Sequence, residues 1–155
     1  MDFRETTWWG FLDEGQKDLV MQSWQLLEMA GGGKQFHDYS YVVFPMAKAY
    51  EGFLKKWFYS LGLIDKATYE GHKFRLGKAL NPDLPEKYRS DWWMFGPLEE
   101  RYGEKLPQQL WLAWKECRNL LFHFFPQHTH FIAIADAKER LEQLSAAMAV
   151  TIQPE

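Results

Sequence analysis

The stretch PQQLWLAWKECRNLLFHFFP, residues 107–126, decides how the chain is read. Two prolines bound it. Pro107 suits the first turn of a helix, where its missing N–H costs nothing, and Pro126 ends one. Turning each residue by about 100° puts Leu110, Trp114, Cys117 and Leu121 on one side. That side is apolar and belongs to a core. The other side carries Trp111, Lys115, Arg118, Asn119, Phe122 and His123. Two large aromatics there flank four hydrogen-bonding side chains. An exposed aromatic patch with polar groups inside it marks a partner surface. The spacing therefore predicts one core face and one face covered by a second macromolecule.

Helical periodicity recurs outward from this stretch. Asp13 is a good N-cap and Gln16 can complete a capping box, so a helix is expected from Asp13, with Val20, Trp24 and Leu27 turned inward. Gly31-Gly32-Gly33 ends it. No Lys-Ser/Thr follows those glycines in P-loop spacing, so they read as a linker. A second helix is expected within residues 40–63, its regular part beginning at Pro45. Its apolar stripe holds Met46, Tyr50, Phe53, Leu54, Trp57, Phe58 and Leu61. Lys48, Glu51 and Lys55 share a polar face, as a solvated, salt-bridged face does.

A third helix is expected over residues 66–80, preceded by Asp65 and ended by Asn81-Pro82. Residues 81–107 hold four prolines, with Trp92 and Trp93 between them. A connection this long inside one domain is expected to be pinned by aromatics, with a short helix near Leu98–Tyr102. A last helix is expected from about Asp136 to Val150, burying Ala137, Leu141, Leu144 and Met148. No strand-like alternation exceeds four residues. The expected class is all-α, a bundle of four to five helices. Residues 1–35 read as an N-terminal helix with its glycine linker, and 36–155 as the main helical domain.

Composition narrows the function classes. A length of 155 residues fits one domain, and 46% hydrophobic against 25% charged residues describes a chain that folds. A formal net charge of −3 excludes a protein that coats nucleic acid by charge alone. The charge is uneven. Residues 31–130 hold 14 basic and 11 acidic side chains, whereas residues 1–30 hold two and six. A local anion site in the middle is compatible with that partition. The single cysteine, Cys117, cannot form an intrachain disulfide and points to a reducing compartment. No apolar leader and no run long enough to span a bilayer stand out, so a cytoplasmic protein away from the membrane is expected.

Several residue types carry possible chemistry. His123, His128 and His130 lack Cys, Asp or Glu neighbours at ligand spacing, so no metal and no other cofactor is expected. Cys117, on the core face, reads as a packed thiol. His72, Lys73, Arg75 and Lys78 form a small basic cluster, either solvated or guiding RNA. Cutting RNA without a metal needs a base for the ribose 2′-OH, an acid for the 5′-oxygen and a cation for the phosphorane. Imidazole titrates near neutrality, so His123 can act as acid or base. Arg118 can grip a phosphate through two parallel hydrogen bonds, and Asn119 can orient either group. Five residues of ideal helix set Arg118 and His123 about 140° apart. Either the long arginine closes part of that gap, or two copies pool their side chains across a twofold axis.

The segment Arg118-Asn119-Leu120-Leu121-Phe122-His123 matches R-N-x-x-x-H, the signature of HEPN-fold ribonucleases. Residues 44–56, FPMAKAYEGFLKK, followed by the Arg118–Pro126 stretch, resemble the C-terminal domain of RNase LS-type toxins (RnlA/LsoA), a domain first labelled DNA-binding. The resemblance spans about residues 36–150. It implies an HEPN-like bundle and a metal-independent endoribonuclease of toxin–antitoxin or phage-defence type. It implies a homodimer through the helix 107–125, products ending in a 2′,3′-cyclic phosphate and a 5′-hydroxyl, and a possible antitoxin partner. It also implies that Glu51 orients Arg118 or His123, beside the plain reading of Glu51 on a solvated face. Lys48, Lys55 and Lys115 are the lysines expected to meet RNA. The toxins carry further domains before this one, so what those domains do does not carry over. One alternative is a non-catalytic HEPN-like module that binds nucleic acid or a protein partner; another is a plain structural bundle, which expects Trp111 and Phe122 to be buried within one chain.

Overall fold

A computed structural model describes residues 3–33, 35–127 and 131–152. These residues are all-helical, with no strand element: α1 (Thr7–Phe11), α2 (Glu14–Gly31), α3 (Ser40–Ser60), α4 (Lys66–Glu70), α5 (Leu76–Ala79), α6 (Phe95–Tyr102), α7 (Lys105–Trp114) and α8 (Ile134–Thr151). Helix α2 starts as its sequence dictates. The Asp13 carboxylate accepts the Gln16 amide at 2.8 Å, and Gln16 Oε1 accepts the Asp13 amide at 3.0 Å. Two N–H groups at the helix start are thereby satisfied.

Helix α3 is the hub. Val42, Val43, Met46, Ala49, Tyr50, Phe53, Leu54 and Phe58 are fully enclosed. A helix apolar over so much of its circumference must be surrounded by others. Helices α2 and α8 pack directly on it, and the Tyr50 hydroxyl donates to the Leu110 carbonyl of α7 at 3.1 Å. Trp8 of α1, Leu12 and Val20 belong to the same core as α3 and α8, so the N-terminal helices are part of one packed unit. The last helix buries Ala137, Leu141, Leu144 and Met148 as its spacing predicts.

Pro45 corrects the expected start of the second helix. It lies five residues inside α3, beyond the first turn. Its ring removes one amide donor from the helix interior. The next amide, Met46 N–H, donates across the interface to the buried Ser23 hydroxyl at 2.9 Å. A side chain on α2 thus takes part in the hydrogen bonding of the turn that carries the proline.

The expected helix over 66–80 is two short helices. Asp65 caps α4 by accepting the Thr68 amide at 2.7 Å, and the chain turns extended at Gly71. The interruption lets Phe74 turn inward against Phe58, with ring centroids 6.2 Å apart. The following connection is held by aromatics, as expected. Trp93 Nε1 donates to the Asn81 carbonyl at 2.9 Å, and the Met94 amide donates to the Ala79 carbonyl at 2.8 Å. The Arg89 guanidinium lies 3.9 Å from the centroid of the Trp93 ring. Among the described residues, no helix is long and apolar enough to cross a membrane.

Replacing Ser23 with Ala removes the acceptor for the Met46 amide. The expected loss is about 1–3 kcal/mol, the cost of leaving a buried donor short of a partner. Urea denaturation of the two proteins measures it, and an unchanged midpoint denies the bond a structural role.

Candidate functional site

The helix that carries the R-N-x-x-x-H segment does not run to Pro126. After Trp114 it widens into a π turn, Lys115–Asn119, and the Leu120 amide reaches back five residues to the Lys115 carbonyl at 2.9 Å. Such wide turns re-aim side chains and recur at functional sites. The turn is tied to α8. Glu116 pairs with Arg140 at 3.2 Å and accepts the Gln143 amide at 2.7 Å. Cys117 Sγ lies 3.2 Å from Gln143 Oε1.

Past the π turn, a uniform 100° rotation no longer describes the chain. The core assignment of Leu110, Trp114, Cys117 and Leu121 holds, and all four are buried. The assignment of Trp111 to a partner-covered face does not. Its side chain is 8% exposed and stacks on Trp114, with centroids 5.8 Å apart and planes 12° apart. Phe122 is half-buried and meets Phe44 edge-on at 5.3 Å. His123 falls beyond the helix, exposed, with its ring 6.2 Å from that of Phe125.

The re-aimed turn opens a cleft of about 520 Å³. Arg118 and Asn119 line it from the π turn, Glu51 from α3, and Arg75 and Lys78 from the α5 region. Trp111 and Trp114 line it as well, and the Arg118 guanidinium lies 5.7 Å from the Trp114 ring centroid, within cation–π range. Three cations face one carboxylate, which favours an anionic ligand. Among the described residues, Glu51 takes part in no ion pair. The salt-bridged face expected around it is absent: Lys55 donates instead to the Gly71 carbonyl at 3.3 Å.

Three of the four residues expected to be catalytic therefore share one cleft, and His123 does not line it. Lys48 is exposed on α3, and Lys115 is half-buried in the π turn. Neither these two nor Lys55 lines the cleft. Arg75 and Lys78 do, although the sequence marks them only as part of a small basic cluster. Asn81 also lines it, and the sequence marks that residue only as the end of a helix. His128 and His130 lie outside the described residues. Among the described residues, no three His, Cys, Asp or Glu side chains gather as a metal site requires.

Burial fixes the chemistry of two neighbouring groups. It pushes the Cys117 thiol up to about 12, against a smaller opposing pull from Arg140. Burial likewise holds the Tyr50 phenol well above its ordinary value, so it remains a donor to Leu110. Gly77 completes the cleft wall. A Cβ there would sit 2.4 Å from Trp114 Cη2, so only glycine lets α5 come this close. No protein-family model, curated protein or solved structure matches the chain.

Two outcomes follow from this packing. Gly77→Ala pushes α5 and the Trp114 ring apart and is expected to cost about 1–3 kcal/mol, the usual range for overpacking. A fall in thermal midpoint checks it, and an unchanged midpoint denies the close approach. With its pKa raised by burial, the Cys117 thiol stays protonated at pH 8 and is enclosed by the core. The native protein is expected to react with a thiol reagent at least 100-fold more slowly than the urea-unfolded chain.

Proposed function

We propose that the chain is a metal-independent endoribonuclease of the HEPN type that works as a homodimer in the cytoplasm. The observation that carries the reading is the meeting of Arg118, Asn119 and Glu51 in one cationic cleft, from elements more than 60 residues apart in sequence. The resemblance of residues 44–56 and 118–126 to RNase LS-type toxins supports it.

In this reading the cleft holds a phosphodiester. Arg118 binds two of its oxygens and stabilises the charge that builds up on the phosphorane. Asn119 orients the phosphate or the adjoining ribose. Glu51 fixes the direction of the Arg118 guanidinium. His123 removes the ribose 2′-OH proton, and the histidine of the second copy protonates the departing 5′-oxygen. The ribose 2′-oxygen bonds to phosphorus as the bond to the 5′-oxygen breaks. A 2′,3′-cyclic phosphate and a 5′-hydroxyl result. Because His123 stands outside the cleft of its own chain, the scissile bond has to lie at the cleft mouth, where the histidines of the two copies meet. Phe44 and Phe124, 55% and 76% exposed, flank this part of the chain and give such a copy an aromatic surface to cover. An antitoxin would compete for the same surface.

The exposed position of His123 also favours a second reading, a non-catalytic module that binds RNA or a protein partner. The two part in a nuclease assay with a chelator present. The first expects the wild type to cut RNA and leave cyclic-phosphate ends. His123→Ala and Arg118→Ala are each expected to lower the rate at least 100-fold, the lower end of general acid–base and charge-stabilising effects. Glu51→Gln is expected to slow it less. Intact RNA with a dimeric wild-type protein sinks the nuclease and leaves the binding module.

A further inference from the structure

A second cleft adjoins the first. It measures about 310 Å³ and is lined by Lys73, Arg75, Lys78, Tyr88, Trp92 and Trp93, among others. Arg75 and Lys78 line both clefts, so the two meet along one cationic wall. Among the described residues, Lys73, Arg75 and Lys78 enter no ion pair, so their charge is not neutralised by the protein. Arg75 spends one amino group on the His72 and Phe74 carbonyls, which fixes the guanidinium without reducing its charge.

Much of the remaining lining is aromatic and firmly built. Trp93 is held by its bond to Asn81 and by the Arg89 guanidinium over its ring. Gly96 leaves room for that ring, since a Cβ there would lie 2.4 Å from Trp93 Cζ3. Trp92 rests edge-on against Phe74, with centroids 6.1 Å apart. It is still 37% exposed, and Tyr88 is 61% exposed. Exposed aromatic rings in one cleft with unneutralised cations form the pattern that binds single-stranded nucleic acid, cations tracking phosphates and rings stacking on bases. A duplex keeps its bases stacked inside and offers only backbone to such a wall.

We propose that this second cleft is a nucleotide subsite for single-stranded RNA, next to the phosphate site of Arg118. Lys73, Arg75 and Lys78 hold the backbone, and Tyr88 and Trp92 stack a base. The chain thereby selects unpaired RNA. The proposal rests on RNA being the ligand of the first cleft and not on cleavage there.

The test reads binding apart from chemistry. Fluorescence anisotropy follows the intact protein with a 2′-O-methyl RNA single strand, which has no free 2′-OH to attack, and with its matched duplex. The single strand is expected to bind at least tenfold tighter than the duplex. Tyr88→Ala and Trp92→Ala are each expected to weaken single-strand binding about tenfold, the scale of one lost base stack. Trp92→Phe keeps most of the affinity and guards against loss of fold. Lys78→Gln is expected to lower the salt slope by about one. Equal affinity for duplex and single strand overturns the proposal. So does wild-type affinity in both alanine variants, and if Arg118→Ala then still weakens binding, the first cleft survives without the second. A wild type that binds no RNA ends both readings.

Discussion

The enclosure of α3 is the constraint on which the rest of the structure depends. This helix is apolar around most of its circumference, so α2 and α8 must lie against it and α7 must be tied to it. The strip holding Lys48, Glu51 and Lys55, with Lys56 at its edge, is left for polar groups. A strip that narrow has little choice of neighbour. Once the larger faces are covered, Glu51 meets whatever the ends of α5 and α7 bring to it, and they bring Arg75, Lys78 and Arg118. Hydrophobic burial, which has no directional preference of its own, thus decides where the charged groups come together. The Ser23–Met46 hydrogen bond adds direction, because it fixes α2 against the one turn of α3 that lacks a backbone donor.

The π turn does for α7 what burial does for α3. A regular helix through residue 125 would keep adding residues on a fixed pitch. One wide turn changes that register and ends the helix at Asn119. The cost of the irregular turn is met by the Glu116, Arg140 and Gln143 bonds, which anchor it to α8. Arg118 and Asn119 then project beside the stacked pair of Trp111 and Trp114, whose apolar surface lowers the local dielectric. An ion bound there feels the arginine more strongly than it would in open water.

Much of this was legible in the sequence. The all-α class, the Asp13 cap and the buried stripes of the second and last helices followed from local chemistry and periodicity, and those signals act within a few residues. The core face of residues 110–121 was legible too, since a single wide turn does not move Cys117 or Leu121 out of the interior. What lay beyond reach depends on contacts distant in sequence. Pro45 sits inside α3 where Ser23, twenty-two residues earlier, meets the neighbouring turn. The break at Gly71 answers to the burial of Phe74 against Phe58. Trp111 turns inward because the buried face of α7 is wider than the stripe read from the sequence: it stands three residues before Trp114 and about 60° from it, and both are buried. In the site, Arg118, Asn119 and Glu51 were nameable from their segments, whereas Asn81 and the shared wall of Arg75 and Lys78 come from how α5 is set against Trp114.

The stacked indoles of Trp111 and Trp114 have a further consequence. Two near-parallel rings with centroids 5.8 Å apart couple their electronic transitions. Such a pair is a chromophore distinct from the chain's other six tryptophans. It also borders the cleft and lies under a guanidinium whose charge shifts indole emission. The protein therefore carries an optical reporter of its own, built from the same two side chains that give the cleft its apolar lining.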